Sequence, residues 1–312
     1  MKYVYLLFVV SLFGLSTISI ENPTTAAELG EKLFFDPILS LDTTISCASC
    51  HIPAFAFADT NRFSLGVAGQ QGSRNTPSSM NMMMRERFFF DGRAATLHEQ
   101  VTQPIHNPVE MALSVQAAVS RLRGNEYATY FNAIYGAAPD SALLADALVA
   151  YIFTLESPGN SAFDKWMAGD TAAMSASAVR GRTLFMGDKA KCFDCHFSPD
   201  FTGDEFRNIG LYNASDTLND VGRFEMTKDS SDLGKFKVPG LRNIAITTPY
   251  MHNGMFQTLE EVVDYYDEPT DFVQGAMNID TLLQKPLNLS AQEKIDLVAF
   301  LQALTDEQFV GE

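Results

Sequence analysis

Two short strings, Cys47-Ala-Ser-Cys50-His51 and Cys192-Phe-Asp-Cys195-His196, contain every cysteine of a 312-residue chain. The fold has to serve both of them. Disulfides are the first reading of cysteines in an exported protein, and a four-thiolate zinc site built from two C-x-x-C pairs is the second. Neither gives a purpose to the histidine that follows each second cysteine. Two thiols at this spacing can instead add to the two vinyl groups of one haem, with the adjoining imidazole placed to ligate the iron. The chain therefore reads as carrying two covalently bound c-type haems. Cys47, Cys50 and His51 would hold the first, and Cys192, Cys195 and His196 the second.

Export is read from the start of the chain. Residues 1–20 (MKYVYLLFVVSLFGLSTISI) carry one Lys, an apolar run from Tyr3 to about Leu15, and a small-residue stretch ahead of polar ENPTT. That is the layout of a signal peptide, and its apolar run is short of the ~20 residues of a membrane span. The expectation is a periplasmic protein with no membrane span after signal cleavage. At 46% hydrophobic and 19% charged residues the chain reads as globular, and its length allows two domains. A formal net charge of −16 makes nucleic acid and anionic membrane surfaces poor partners and suits a basic protein partner.

The surroundings of the two haem strings echo each other. AAELGEKLFF precedes the first and SAVRGRTLFM the second, sharing Gly-x-x-Leu-Phe. Downstream, DALVAYIFTLES (146–157) matches DLVAFLQALTDE (296–307) at Leu-Val-Ala-aromatic. Each half reads as helix, haem site, long loop region and closing helix. Ser290 with Glu293 and Thr258 with Glu261 are capping-box patterns, Asp140 is a helix cap, and Gly187 is a helix stop. β patterns are scarce, and segments 52–96 and 197–257 read as loops wrapped around the cofactors. A seam at 156–170 divides the chain into residues 21–160 and 161–312. The fold class is all-α, with two cytochrome-c-like haem domains whose haems face a shared interface.

The strings RNTPS (74–78), FFDGRAATLHEQ (89–100), QPIHNPVEM (103–111) and KVPGLRNIAITTPYMHNGMFQTLEEVVDYY (237–266) resemble the bacterial di-haem cytochrome c peroxidase and MauG family across the mature chain. The resemblance implies a peroxidatic N-terminal haem and a C-terminal haem that supplies electrons. It also implies roles for particular residues. Glu110 matches the family's acid–base glutamate, and Gln100 and Pro104 match its companions in the distal pocket. Tyr266 falls where peroxidases of the family place a methionine and MauG-type members a tyrosine on the second iron; Tyr265, Met251 and Met255 are the alternatives. Asn75, Thr247 and Pro249 match the family's calcium positions, which calls for one calcium ion. Arg93 and Arg242 are candidates for the haem propionates.

Departures from the family pattern carry information. The histidine that caps the resting peroxidatic haem in many members would stand eight residues before Asn75, where this chain has Val67. The first haem is therefore expected to be open on its distal side. Of the five histidines, His98 reads as a surface helix residue and His106 as a loop residue. The family's inter-haem Trp is replaced by Phe90, which is much harder to oxidise, and the only Trp, Trp166, lies in the seam. The Met run 82–84 and Phe run 88–90 read as walls of the haem crevice.

Three functions are compatible with these residues. The leading one is a di-haem peroxidase that reduces hydrogen peroxide with electrons from a small cytochrome c or copper protein. The second is a MauG-like oxidase that uses a high-valent intermediate to oxidise a partner protein or another substrate. The third is an electron carrier with no substrate. A homodimer is compatible with each.

Overall fold

The computed structural model describes residues 22–310 except position 216, so the expected signal peptide lies outside the described residues. The first half contains α1 (Ala26–Phe35), α2 (Leu97–His106), α3 (Val115–Arg123), α4 (Tyr127–Tyr135) and α5 (Ser141–Ile152). The second contains α6 (Ala162–Met167), α7 (Ala176–Phe185), α8 (Phe224–Thr227), α9 (Leu259–Asp267), α10 (Pro269–Phe272) and α11 (Ala291–Gln302). Among the described residues the only sheet is one antiparallel pair, β1 (Phe206–Arg207) with β2 (Phe236–Lys237). The architecture is all-α. No described helix is long and apolar enough to cross a membrane.

Local chemistry sets where the helices begin. Thr25 with Glu28, Thr258 with Glu261 and Ser290 with Glu293 form reciprocal capping boxes, and Asp140 accepts the Leu143 amide at 2.8 Å. α7 ends at Phe185 and Gly187 follows just beyond it.

Packing then brings each first helix onto the closing helix of its half, α1 onto α5 and α7 onto α11. Both crossings are too close for a side chain. A Cβ on Gly30 would lie 1.9 Å from the Ala147 carbonyl oxygen, and one on Gly181 would lie 1.8 Å from that of Asp296. The shared Gly-x-x-Leu-Phe string is thus a helix-crossing element. Around it, Leu33, Phe34, Phe131 and Leu148 are buried in one core, and Phe185, Phe201, Leu297 and Phe300 in a second.

Polar contacts join the halves. Arg74 binds Asp91 at 2.5 Å within the first half and grips Asp220 of the second at 2.7 and 2.8 Å. The Lys237 amide donates to the Phe90 carbonyl at 2.7 Å, and the Asn75 amide to that of His252 at 2.8 Å. Burial pushes the Asp220 carboxyl up, but its bonds to Arg74 override this and hold it below the ordinary carboxylate range.

Candidate active site

Each Cys-x-x-Cys-His string closes on itself in a short turn, with the histidine amide donating to the carbonyl of the first cysteine at 2.9 Å in both copies. The imidazoles are then oriented through Nδ1. That of His51 lies 3.0 Å from the Phe57 carbonyl oxygen and 2.8 Å from Ser79 Oγ, and that of His196 lies 2.8 Å from the Phe201 carbonyl oxygen. A carbonyl partner makes Nδ1 the protonated nitrogen and leaves the Nε2 lone pair for a metal. Burial lowers the pKa of both rings, keeping them in the neutral, ligating form. It also pushes the thiols up, Cys47 and Cys192 to about 12 and Cys50 and Cys195 to about 11. A neutral S–H is the group that adds across a vinyl double bond. No three His, Cys, Asp or Glu side chains among the described residues converge as a conventional metal cluster. The residues present fit two c-type haems.

Beside the second motif lies a largely apolar cavity of about 340 Å³, lined by Cys192, Cys195 and His196 and reached from the first half by Phe88, Phe89 and Phe90. Tyr266 on α9 lines it, and burial raises its phenol pKa above the ordinary tyrosine value. Tyr265 is committed elsewhere: it is fully buried and its hydroxyl donates to the Ile209 carbonyl at 2.5 Å. Met251 shares the cavity wall, whereas Met255 does not line it.

The first half carries a different polar group. Val67 is buried, and its amide donates to the Glu110 carbonyl at 2.8 Å. A Cβ on the preceding Gly66 would lie 2.2 Å from the Val109 carbonyl oxygen. The loop that would present a capping histidine is therefore pressed against the backbone of the glutamate and carries an aliphatic side chain. Glu110 Oε1 accepts from Asn107 Nδ2 at 2.6 Å. Burial raises the Glu110 pKa, while Asn107, Arg93 and His106 pull it back in part. The glutamate charge also reaches the Cys50 thiol, placing the carboxyl near the first haem attachment.

A cavity of about 190 Å³ adjoins Glu110, lined by Arg93, Gln103, Pro104, His106, Asn107 and Pro108. Gln100 is not among its walls. It lies on α2 about one turn before Pro104, about 6 Å further back along the axis, and Gln103 takes the position beside the glutamate. Gln103 Oε1 accepts from Arg93 Nε at 3.2 Å. His106 is not a loop residue but the last residue of α2, with an exposed ring. His98 is exposed on the same helix, with Nε2 3.6 Å from Asp146.

Neither candidate propionate partner is a free cation. Arg93 pairs with Asp91 at 2.9 Å and faces the Glu110 cavity. Arg242 lines the large cavity but forks onto Asp164 at 2.9 and 3.0 Å. Arg85, Arg207 and Lys237 also line the large cavity, each beside an acidic residue.

Asn75, from the first half, and Thr247 and Pro249, from the second, all lie along the wall of the large cavity. Asn75 Nδ2 donates to the Asn61 and Arg62 carbonyls at 3.2 and 3.4 Å, which turns its Oδ1 the other way. Asn253 Oδ1, on the adjoining loop, is buried without a hydrogen-bond partner among the described residues. Side-chain amide oxygens of this kind are among those a hard cation prefers.

His252 was not singled out by sequence reasoning, although it is the fifth histidine and lies in the YMHNG string beside Pro249. Its ring stacks on Phe236 at 3.6 Å and meets the edge of Phe90 at 6.5 Å, on the wall shared by the halves. Burial pushes its pKa down to about 4, so the imidazole is neutral. Trp166 sits on α6 with the Arg182 guanidinium 5.0 Å over its ring.

The chain is similar to known proteins over most of its length. A family model described as di-haem cytochrome c peroxidase matches residues 24–172. The methylamine utilization protein MauG of Methylorubrum extorquens is 38% identical, over 92% of this chain and 80% of its own length. The cytochrome c551 peroxidase of Nitrosomonas europaea is 36% identical, over 90% of this chain and 80% of its own. Among solved structures, a MauG-like protein associated with microbial copper homeostasis has a TM-score of 0.83 at 32% identity, covering 94% of this chain and 93% of that one. The diheme peroxidase BthA from Burkholderia thailandensis has a TM-score of 0.82 at 27% identity, covering 92% and 87%.

Proposed function

The chain belongs to the di-haem cytochrome c peroxidase family, and from that premise we propose that it reduces hydrogen peroxide in its first half, with Glu110 as the acid–base group and electrons entering through its second half. The relatives named as peroxidases set aside the reading of a bare electron carrier. When bound, the haems supply a site for peroxide and storage for electrons. The chain supplies the rest.

Reduction of one peroxide consumes two electrons and two protons and yields two waters. Breaking the O–O bond requires a group that takes a proton from one oxygen and returns it to the other, which then leaves as water. A carboxylate can do this. The observation that carries the reading is the half-buried Glu110, with its pKa raised, near Cys50 and backed by a loop whose side chain is Val67. Asn107 holds one carboxylate oxygen and leaves the other for the proton.

Electrons would come from a small cytochrome c or copper protein in the periplasm, and a net charge of −16 favours a basic donor. One calcium ion, held by Asn75 and the carbonyls of Thr247 and Pro249, would tie the halves together. A chelator should then lower the melting temperature, and an unchanged melting temperature removes the ion from the account.

Steady-state peroxide turnover with a reduced small cytochrome c tests the main reading. Glu110→Gln should lower turnover about 10²- to 10³-fold. In the wild type, activity should fall as pH drops through the raised Glu110 pKa, above the ~4.3 of an ordinary glutamate, because protonation removes the base. Wild-type turnover in Glu110→Gln would overturn the reading. Tyr266 on the cavity wall favours one second reading, a MauG-like oxidase acting on a partner protein or other substrate. In that case peroxide alone should leave a long-lived oxidised state shared by both haems, whereas a change confined to one haem argues against it.

A further inference from the structure

We propose that His106 is a proton-relay residue, which carries protons from solvent to Glu110 through the cavity that the two side chains share. This rests on the assignment of Glu110 as the acid–base group. The need comes from the stoichiometry. The proton that Glu110 takes from peroxide is the one it gives back, so that cycle is closed. The two protons consumed per turnover have to arrive separately, because a small redox protein delivers electrons without them.

The cavity of about 190 Å³ links these groups. Its volume holds several water molecules, and Arg93, Gln103 and Asn107 supply the polar partners that ordered waters require. His106 stands at its solvent side: the ring is exposed, while Glu110 is half-buried. The His106 Nδ1 lies 3.1 Å from the Thr102 carbonyl oxygen of its own helix, which makes Nδ1 the donor and frees Nε2 to gain and lose a proton. On the inner side, Asn107 occupies Glu110 Oε1 at 2.6 Å and leaves Oε2 as the receiving atom.

Other lining groups do not serve. Gln103 and Asn107 are amides and do not titrate. Arg93 is the other charged group facing Glu110, and its guanidinium is paired with Asp91 at 2.9 Å and has no lone pair to accept a proton. An imidazole can take a proton on one nitrogen while the other stays hydrogen-bonded, and burial raises the Glu110 pKa so that its carboxyl accepts a proton more readily. In the relay, protonated His106 gives its Nε2 proton to a cavity water as a proton passes to Glu110 Oε2, and Nε2 is reprotonated from bulk solvent.

The test compares the haem-loaded wild type with His106→Gln, His106→Ala and Glu110→Gln. One readout is peroxide turnover across pH. The other is the rate of cyanide binding to the ferric protein, since hydrogen cyanide has to give up its proton to a nearby base. His106→Gln should slow both about tenfold with KM for peroxide unchanged, and added imidazole should restore most of the loss in His106→Ala. Wild-type rates and pH profile in both His106 variants, alongside a slow Glu110→Gln, would overturn the relay alone. Slowed variants that imidazole does not rescue would also overturn it, because they would show a structural role. Unchanged rates in Glu110→Gln would remove the acid–base assignment, and the relay with it.

Discussion

The first and second halves of the molecule cross their helices in the same way. Gly30 lies under the Ala147 carbonyl and Gly181 under that of Asp296, and in both cases the carbonyl precedes a Leu-Val-Ala run. Both halves also close the Cys-x-x-Cys-His turn alike and pin the histidine Nδ1 to a backbone carbonyl. They part at the groups set beside each haem motif. The first half has Val67 and Glu110 with a small cavity lined mostly by polar side chains, and the second has Tyr266 in a largely apolar one. The repeated positions fit a haem in each half, and the unrepeated ones give the two halves different surroundings.

The sharpest way to break the comparison is to give the second half a softer ligand. If Tyr266 caps the second iron, Tyr266→Met should raise the potential of that haem by on the order of 0.2 V, because thioether sulfur stabilises the reduced metal better than phenolate does. A redox titration of the two haems reads this. An unchanged potential would show that Tyr266 is a wall residue.

Equivalence of the two frames is tested by Gly30→Ala and Gly181→Ala. In an open helix, alanine in place of glycine gains about 1 kcal/mol. Here each Cβ would strike a carbonyl oxygen at under 2 Å, so both variants should lose about 2–3 kcal/mol on thermal denaturation. A loss in only one would show that the crossings are not equivalent.

Contact between the halves gives the smallest effect. Phe90 meets His252, which stacks on Phe236, and none of these rings is as readily oxidised as an indole. Phe90→Trp should accelerate electron transfer from the second haem to the first several-fold in stopped-flow reduction. Equal rates would mean that electrons bypass this ring.

Features fixed by local spacing were legible in the sequence. The haem turns and the capping boxes at Thr258 and Ser290 act within one or two turns of chain, and the Gly-x-x-Leu-Phe string, which acts across a helix crossing, was legible because it is repeated. The cavity at Glu110 was legible only in part. Pro104 and Glu110 line it together, but Gln103 rather than Gln100 stands with them, because one helical turn separates two equally suitable glutamines. Arg242 looked free for a propionate, yet its carboxylate partner, Asp164, lies 78 residues away in sequence. His252 was missed for the same reason: its role depends on Phe90 and Phe236, which only the meeting of the two halves brings to it.

On this reading the two irons should differ on their far sides, the first open beneath Glu110 and the second capped by Tyr266. Electron paramagnetic resonance of the fully oxidised, haem-loaded protein tests it most directly. One high-spin ferric signal should shift when a small anion such as fluoride is added, and one signal should not respond and should be altered by Tyr266→Met. Two low-spin signals indifferent to fluoride would contradict it.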